Sequence, residues 1–572
     1  MAHTQPSPFL RIPAEIVFAI SAFLDIPDVL TLRKTCRFLS LLSRDKGLWL
    51  EHLRSQQSSL PLPHKARDYE LSTSLSSSEI ERIVTTAQKV EAAWPLERST
   101  VTTLGGIPAD KVCPDILYLT ALADAWVLCV YGNGSIALWD ISVRDGEAQH
   151  SRPPLCWQLW GRDPWTSAIA SVDPSHDAIL LAVTGTQNRL IPGSATVLMR
   201  IPLKAGGAME SLPADPSNIT SQETEFNDVD TLFGADAQIV RAIDPAQQLI
   251  AFSRSMYIDI VHWPSNTGIT IDTHTEDLEQ LWNGIIGLQF VGPYILCVKA
   301  RTLELYPVTY PFPASSSYFV PSSLGPPCHS GKRQILPGIR STGILQPVTC
   351  LAKYTFPGTT FRGVSISSPT GRCVSASRPA GDSTPMSSLS FVAHDILRGV
   401  FHYHTQIVTA SAEGTSSPPP PLLRVKLAGA HDMSNGIPGF ISAAALGPQG
   451  CRGVWIERTK NVTARRVCVF SANPSQCDAA GPGAVPIETK RPMAEAQGGR
   501  ISPDEASEDG IGPVQAAGMI DARASVTPIV IHARTVYEVR SYDLREDLTM
   551  VAFSEVSGRI VMGTRTGKVQ VI

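Results

Sequence analysis

Two hydrophobic patterns divide the chain. Up to about residue 98, apolar residues recur every three or four positions, which is the period of amphipathic helices. From about Val101 onward, short apolar runs alternate with polar residues and are separated by Gly, Asn, Asp and Pro, which is typical of strands and turns. The patterns predict an α+β multidomain chain with a small all-α region at 8–54, a connecting region at 55–98 and a large all-β region at 99–572.

Three short helices are predicted near the amino terminus. The first follows Pro13, a residue suited to a helix start, and the second follows Pro27. The third begins at Leu48-Trp49, after a charged turn. Helices this short bury little apolar surface, so docking onto a partner would complete their core.

The order of the apolar anchors in this region resembles an F-box. Ile12-Pro13-x-Glu15-Ile16 is followed by Ile20, Phe23-Leu24, Asp28-Val29-Leu30, Cys36-Arg37 and Leu48-Trp49. Phe38-Leu39 stands where many members of that family carry a tryptophan. The resemblance implies binding to a Skp-type adaptor through Ile12, Pro13, Glu15, Ile16, Ile20, Leu24, Leu30, Cys36, Leu48 and Trp49. A helical hairpin that caps the main domain is the alternative.

The connecting region combines a Ser-rich stretch and one longer helix. Residues 55–78 hold few apolar side chains and are expected to be a linker or flexible loop. Ser78 and Glu81 fit a capping box that starts the helix, and Pro95 ends it. The helix is expected to be either a stalk between the two domains or an ordinary packing helix of one larger domain.

The all-β region predicts a β-propeller of about seven blades. Its clearest unit is two strands, 126–131 and 135–141, joined by Gly132-Asn133-Gly134, and its Leu138-Trp139-Asp140-Ile141 resembles the third strand of a WD-repeat blade. Related units occur at 168–183, 238–261, 284–306, 361–408, 440–472 and 550–572. If the sheet closes into a ring, the last strand, 568–572, is expected to pair with 101–104. A pair of β-sandwiches would show the same local alternation.

The β region is longer than its strands require. Propeller blades of this type span roughly 40–45 residues, so the excess is expected in insertions. Composition places these insertions at about 204–236, 311–340, 410–421 and 472–527, and they are expected to be disordered.

Composition and charge exclude several classes of partner. A formal net charge of −4 and a pI near 6.4 create no general attraction for nucleic acid or anionic membranes. No apolar run reaches the roughly 18 residues that a membrane span needs. The 11 cysteines form no C-x-x-C pair. A cytoplasmic or nuclear protein without a cofactor is expected.

Three motifs resemble ligand-binding sites, but each departs from the pattern that such a site requires. Residues 563–568 are one residue short of a phosphate-binding loop, so a hairpin turn is the better interpretation. His394, His402 and His404 lack a completing ligand at fixed spacing. The acidic cluster at Glu223, Glu225, Asp228 and Asp230 lacks the glycine and the final glutamate of a calcium loop.

The resemblance to F-box proteins implies a receptor function. It predicts that the F-box binds the Skp adaptor and, through it, a cullin, while the β domain binds a protein substrate for ubiquitin transfer. The chain itself would be non-catalytic. Two rival hypotheses are an interaction scaffold that acts independently of a ligase and an enzyme built on a propeller.

Overall fold

The computed structural model describes most of the chain. The described residues are 12–104 (without 58 and 99), 115–141, 155–158, 165–187, 193–203, 238–274 (without 265–266), 283–308, 334–336, 345–369 (without 347), 385–408, 421–433, 439–472 (without 460–462) and 530–572 (without 542 and 544–545).

Seven helices lie in the described part of residues 12–98. They are α1 (Ala14–Ala22), α2 (Ile26–Leu32), α3 (Arg37–Leu42), α4 (Lys46–Gln56), α5 (His64–Arg67), α6 (Tyr69–Ser74) and α7 (Ser77–Ala93). Pro13 is the N-cap of α1, and the Asp45 side chain accepts from the backbone N–H of Gly47 to cap α4. The predicted second helix is two helices, because the chain turns between Leu32 and Arg37.

The helices share one core. Trp49 and Leu53 of α4 pack against the apolar face of α7, where Ile80 and Val84 are fully buried. The core therefore joins α1, α2 and α4 to the connecting helix α7, and we call α1–α7 the helical unit.

The Ser-rich stretch differs from the expectation of a flexible linker. It contains α5 and α6, and Leu60, Leu62 and Ala66 are buried in the core of the helical unit. These few apolar residues are enough to order the segment, because the other helices of the helical unit provide the apolar surface against which they are buried. The capping box that starts α7 is also two residues earlier than predicted, between Ser76 and Glu79.

The described strands form seven sheets, each a blade. Blade 1 consists of β2 (Ile116–Leu122), β3 (Trp126–Tyr131), β4 (Ser135–Asp140) and β5 (Leu155–Gln158); blade 2 of β6 (Trp165–Val172), β7 (Ala178–Gln187), β8 (Gly193–Pro202) and β16 (Gln334–Leu336); and blade 3 of β9 (Ile239–Asp244), β10 (Leu249–Arg254), β11 (Tyr257–His262), β12 (Thr267–Asp272) and β17 (Leu345–Gln346). Blade 4 consists of β13 (Ile285–Val291), β14 (Tyr294–Lys299), β15 (Thr302–Pro307) and β18 (Ala352–Thr355), and blade 5 of β19 (Gly363–Ile366), β20 (Pro385–Asp395), β21 (Gly399–Val408) and β22 (Leu422–Asp432). Blade 6 consists of β23 (Gly439–Leu446), β24 (Arg452–Thr459), β25 (Ala464–Ser471) and β26 (Arg534–Arg540), and blade 7 of β27 (Leu548–Phe553), β28 (Ile560–Thr564), β29 (Val569–Val571) and β1 (Thr102–Thr103).

The blades form a closed ring. The innermost strand of each blade packs against that of the next, and β27 of blade 7 packs against β2 of blade 1. A separate apolar core fills each gap between neighbouring blades. The seven-bladed propeller is thus confirmed, and the alternative of two β-sandwiches is excluded.

The two ends of the β region close the ring. Thr102 pairs with Val571 and Thr103 with Gln570, in antiparallel register. The prediction that 101–104 pairs with the last strand is confirmed. Closure matters because it leaves no unpaired edge where the ring would otherwise open.

A remote segment extends the outer edges of blades 2 and 3. Gln334–Leu336 pairs with β8 of blade 2, and Leu345–Gln346 pairs in parallel with β12 of blade 3. Both strands come from the long connection between β15 and β18 of blade 4. Of the predicted insertions (204–236, 311–340, 410–421 and 472–527), only this first strand and residues 421 and 472 lie within the described residues.

One of the three motifs considered above is a turn between two strands. Residues 565–568 form the turn between β28 and β29, where the Gly567 N–H donates to the Thr564 carbonyl at 3.0 Å, so the hairpin prediction is confirmed. The described ranges contain no group of three metal-ligating side chains, and the acidic cluster at 223–230 lies outside them. Among the helices of the described ranges, none is long and apolar enough to cross a membrane.

Candidate functional site

An apolar stripe is exposed on α1. Ile16 is 52 % exposed, Ile20 is 46 % exposed and Phe23, just after the helix, is 91 % exposed. The spacing of four and then three residues places them on one side, while Val17 and Ser21 are buried on the other. Large apolar side chains this exposed and this close together are typical of a protein-binding surface. We call Pro13, Ile16, Ile20 and Phe23 the α1 stripe.

The residues implied by the F-box resemblance fall into three groups. Pro13, Glu15, Ile16 and Ile20 are exposed, whereas Ile12, Leu24, Leu30 and Cys36 are half-buried. Leu48 and Trp49 are buried, with exposures of 5 % and 0 %. These two side chains cannot contact a partner directly, because they fill the core beneath the surface. Adaptor contact by the first two groups stays a prediction.

Two exposed apolar residues lie outside the predicted adaptor-binding set. Phe23 belongs to the periodic pattern of the first helix, seven residues after Ile16, and this signal could have placed it on the same surface. Leu41, 67 % exposed at the end of α3, gave no comparable signal.

An ion pair fastens the F-box-like helices to α7. Two nitrogens of the Arg33 guanidinium donate to the two carboxylate oxygens of Glu81 at 2.7 and 2.9 Å. Arg33 also donates to the Ser43 hydroxyl and carbonyl, and the Trp49 indole N–H donates to the same carbonyl at 2.8 Å. A bidentate pair of this kind restricts rotation between α2 and α7.

The end of α7 is inserted into the propeller. Trp94 is 1 % exposed and belongs to the core between blades 6 and 7, where its indole N–H donates to the Phe470 carbonyl at 3.1 Å. Arg452 at the start of β24 donates to the Glu91 carboxylate, and both side chains are buried. The helix is therefore shared by two cores, which combines the two roles expected for it.

A buried carboxylate organises the propeller side of this junction. Glu555 lies in the turn after β27 and accepts from the backbone N–H groups of Gln449, Cys451 and Arg452 at 2.7, 2.7 and 2.9 Å. Burial raises the pKa of Glu555 to about 7, although these three donors and the Arg452 charge oppose the shift. The Gln449 side chain in turn donates to the Leu62 carbonyl and accepts from its N–H.

The contacts described between the helical unit and the propeller involve the turns between the first and second strands of blades, or strand ends beside those turns. Gln449, Glu555 and Gly558 lie in those turns of blades 6 and 7, and the ring of His64 stacks on His176 in that turn of blade 2 at 3.6 Å. In an antiparallel blade, these turns lie at one end of the strands, and the turns between second and third strands lie at the other. The helical unit therefore lies on one face of the ring.

The opposite face carries exposed apolar groups. Ile396 and Leu397, in the turn between the second and third strands of blade 5, are 40 % and 72 % exposed. We call this side, built from second-to-third-strand turns and the loops that link blades, the free face.

Comparison with known proteins agrees with this division. The F-box domain model matches residues 9–51. Similar solved structures include the β-propeller domain of Cps50 (Swd1) from Myceliophteria thermophila (8 % identity, TM-score 0.37, covering 83 % of this chain and 99 % of that one). Others are the C-terminal WD40 domain of Sif2 (10 %, 0.32, 81 % and 83 %) and the WD40 propeller of Doa1 (11 %, 0.33, 83 % and 97 %). No curated protein matches in sequence.

The seven-bladed fold follows from the strand pairing described above. The chain thus combines an F-box domain at residues 9–51 with a seven-bladed β-propeller. The F-box indicates that the chain takes part in protein–protein interaction.

Proposed function

We propose that the chain is the substrate-recognition subunit of an SCF-type (Skp, cullin, F-box) E3 ubiquitin ligase. The observation that carries the proposal is the α1 stripe, which lies inside the F-box match and exposes large apolar side chains. A Skp-type adaptor would bury this stripe and bring the cullin with it. The free face of the propeller would hold the target polypeptide.

The contribution of such a subunit is proximity. Its helical unit and propeller share α7, so a bound target is held at a fixed position relative to the adaptor. Holding two reactants together raises their effective concentration without new bond chemistry in the receptor. The fusion of the two cores through Trp94 and the Glu91–Arg452 pair supports this role, since a flexible tether would spread the target over a larger volume.

Adaptor capture tests the proposal. We expect Ile16→Asp with Ile20→Asp to abolish most binding of the full chain to a Skp-type adaptor. Each isoleucine is about half exposed, so losing its burial removes about 1 kcal/mol, and the pair costs at least about 30-fold in affinity. Titration of purified adaptor measures this loss.

The matched control is Leu71→Asp, which changes a 42 % exposed leucine of α6 outside the F-box match. This variant should bind the adaptor normally, and circular dichroism should show that all variants remain folded. Unchanged capture by the double variant would remove the α1 stripe as the adaptor site. Adaptor binding without cullin recruitment would replace the ligase role by that of a scaffold.

A further inference from the structure

Two histidines stack on each other where the helical unit meets blade 2. His64 begins α5, and His176 lies in the turn between β6 and β7 with a φ of +55°, a backbone conformation that is uncommon in residues other than glycine. The ring centroids are 3.6 Å apart and the ring planes are inclined by 26°, so the rings lie nearly face to face. We call this contact the histidine seam.

A hydrogen bond beside the histidine seam joins α5 to blade 1. The backbone N–H of His64 donates to the carboxylate of Asp124, which lies in the turn between β2 and β3. Leu62 exchanges two hydrogen bonds with the Gln449 side chain of blade 6, and the end of α7 is inserted into the core between blades 6 and 7. The helical unit is therefore held by α7 at blades 6 and 7 and by the histidine seam at blades 1 and 2.

The surroundings of the two rings favour the neutral imidazole. Burial lowers the pKa of His64, and the positive charge of Arg67 lowers it further, against the opposing charge of Asp68. Burial also lowers the pKa of His176, as do the charges of His64 and Arg67, against the opposing charge of Asp173. The closed contact therefore holds both rings without protons more easily than with them.

The other carboxylates near the rings offer little compensation for an added proton. Arg200 on β8 donates to Asp173 at 2.9 Å and to Asp177 at 2.8 Å, so these two acids already face a cation. Burial raises the pKa of Asp124 to about 6, although the charge of Arg67 opposes the shift. Two rings this close titrate as a coupled pair, and the second proton meets the like charge of the first.

We infer that the histidine seam is a pH-sensitive contact, which holds the helical unit on blades 1 and 2 while at most one of the two rings is protonated and opens when both are. Opening would leave the helical unit attached to the propeller through α7 and its neighbours at blades 6 and 7, so the helical unit would be free to tilt about that attachment. The inference concerns this contact and does not depend on the proposed function.

The direction of the pH dependence follows from the shifts. A histidine whose pKa is lowered in the closed contact contributes fully to closure above its ordinary pKa of 6.5, and this contribution is lost as pH falls through the lowered value. Asp124 and Glu555 act in the opposite direction, because raised pKa values of about 6 and about 7 mean that the closed state binds their protons more tightly. The histidine contribution is therefore measured between proteins that keep both carboxylates.

Hydrogen exchange of the full chain, followed by mass spectrometry, tests the inference. The reporting peptide covers residues 63–68, and its protection is corrected for the intrinsic effect of pH on exchange. Between about pH 7.5 and about pH 5, local opening of the natural protein relative to His64→Gln should rise about tenfold, because glutamine keeps the backbone donor and takes up no proton. Repulsion between two unit charges at 4 Å is about fivefold in bulk water and larger where the pair is partly buried.

The matched control is His262→Gln. His262 ends β11 of blade 3, and burial lowers its pKa as well, but it lies on a different blade from His176. This variant should exchange like the natural protein at both pH values. His176→Gln removes the other ring and should reproduce the effect of His64→Gln, and combining the two substitutions should add nothing further, because one ring is enough to remove the repulsion.

A peptide that covers Glu91 and Trp94 is the internal reference, since the end of α7 should keep its protection at both pH values. An opening ratio that does not change with pH, or a change of the same size for His262→Gln, would overturn the inference. So would an equal loss of protection in the reference peptide, because the whole chain would then open instead of the histidine seam.

Discussion

The buried ion pair between α7 and blade 6 makes the connection between the two domains testable. Glu91 and Arg452 have side chains that are 7 % and 1 % exposed, and the Arg452 Nε lies 3.1 Å from the Glu91 carboxylate. Glu91→Ala would leave Arg452 buried with only the Glu555 carbonyl, at 2.8 Å, as an acceptor. Because a buried charge without its partner typically costs 3–5 kcal/mol, we expect a loss of about that size.

The loss in the free energy of unfolding shows how much the ion pair contributes to holding the two domains together. A typical domain has a free energy of unfolding of about 5–15 kcal/mol, so this change would be a large fraction of the total. Equilibrium unfolding in urea, followed by tryptophan fluorescence, measures it, since Trp94 lies beside Arg452 with 5.3 Å between the guanidinium carbon and the ring centroid. The midpoint should fall and the slope should stay constant if only stability changes.

Two further variants make the test specific. Glu91→Leu with Arg452→Met removes both charges and keeps the volume, so it should recover most of the lost stability. Glu51→Ala breaks an exposed pair with Arg54, at 3.6 Å, and should cost less than about 1 kcal/mol. A loss below about 1 kcal/mol for Glu91→Ala, or a double variant no more stable than Glu91→Ala, would refute the reasoning.

Two other predictions concern the same junction. Burial raises the pKa of Glu555 from its ordinary 4.5 to about 7, so the folded state binds this proton more tightly than the unfolded state does. The resulting contribution to the free energy of unfolding is complete below pH 4.5 and is lost as pH rises through 7. Compared with Glu555→Gln in urea titrations, the natural protein should therefore lose about 3 kcal/mol over this range, and parallel pH profiles would contradict the shift. Gly558 has a φ of +69° and its added Cβ would lie 2.7 Å from the Val90 side chain, whereas Gly358, with a φ of +62°, has its nearest neighbour at 3.5 Å. Gly558→Ala should consequently lower the melting temperature more than Gly358→Ala, since only the first pushes against α7, and equal effects would show that backbone strain alone acts.

Local patterns predicted most of the elements. The alternation in 126–131 and 135–141, with a glycine turn between them, gives strands whose register follows from the turn, and the strand containing Trp139 is the third of blade 1 as predicted. The pairing of 101–104 with the last strand could also be predicted, because ring closure requires a partner for it. These features depend on residues that are close in sequence or on one topological rule.

Features that depend on distant partners were not predictable in the same way. Residues 55–78 look polar, yet Leu62 and Ala66 are fully buried because α4 and α7 supply the surface that covers them. Ser76 caps α7 in place of Ser78, since both fit the same short motif. Nothing local indicates that Gln334–Leu336 extends blade 2, which precedes it by more than a hundred residues.

The candidate sites show the same distinction between what local sequence determines and what tertiary packing determines. The periodicity of the first helix determined by itself that Ile16, Ile20 and Phe23 share one side, because helix geometry fixes neighbours three and four residues apart. Only the tertiary structure decided that this side stays exposed while Leu48 and Trp49 are buried. It also placed the ring of His64 on the ring of His176, since these residues meet only when the helical unit packs against the propeller.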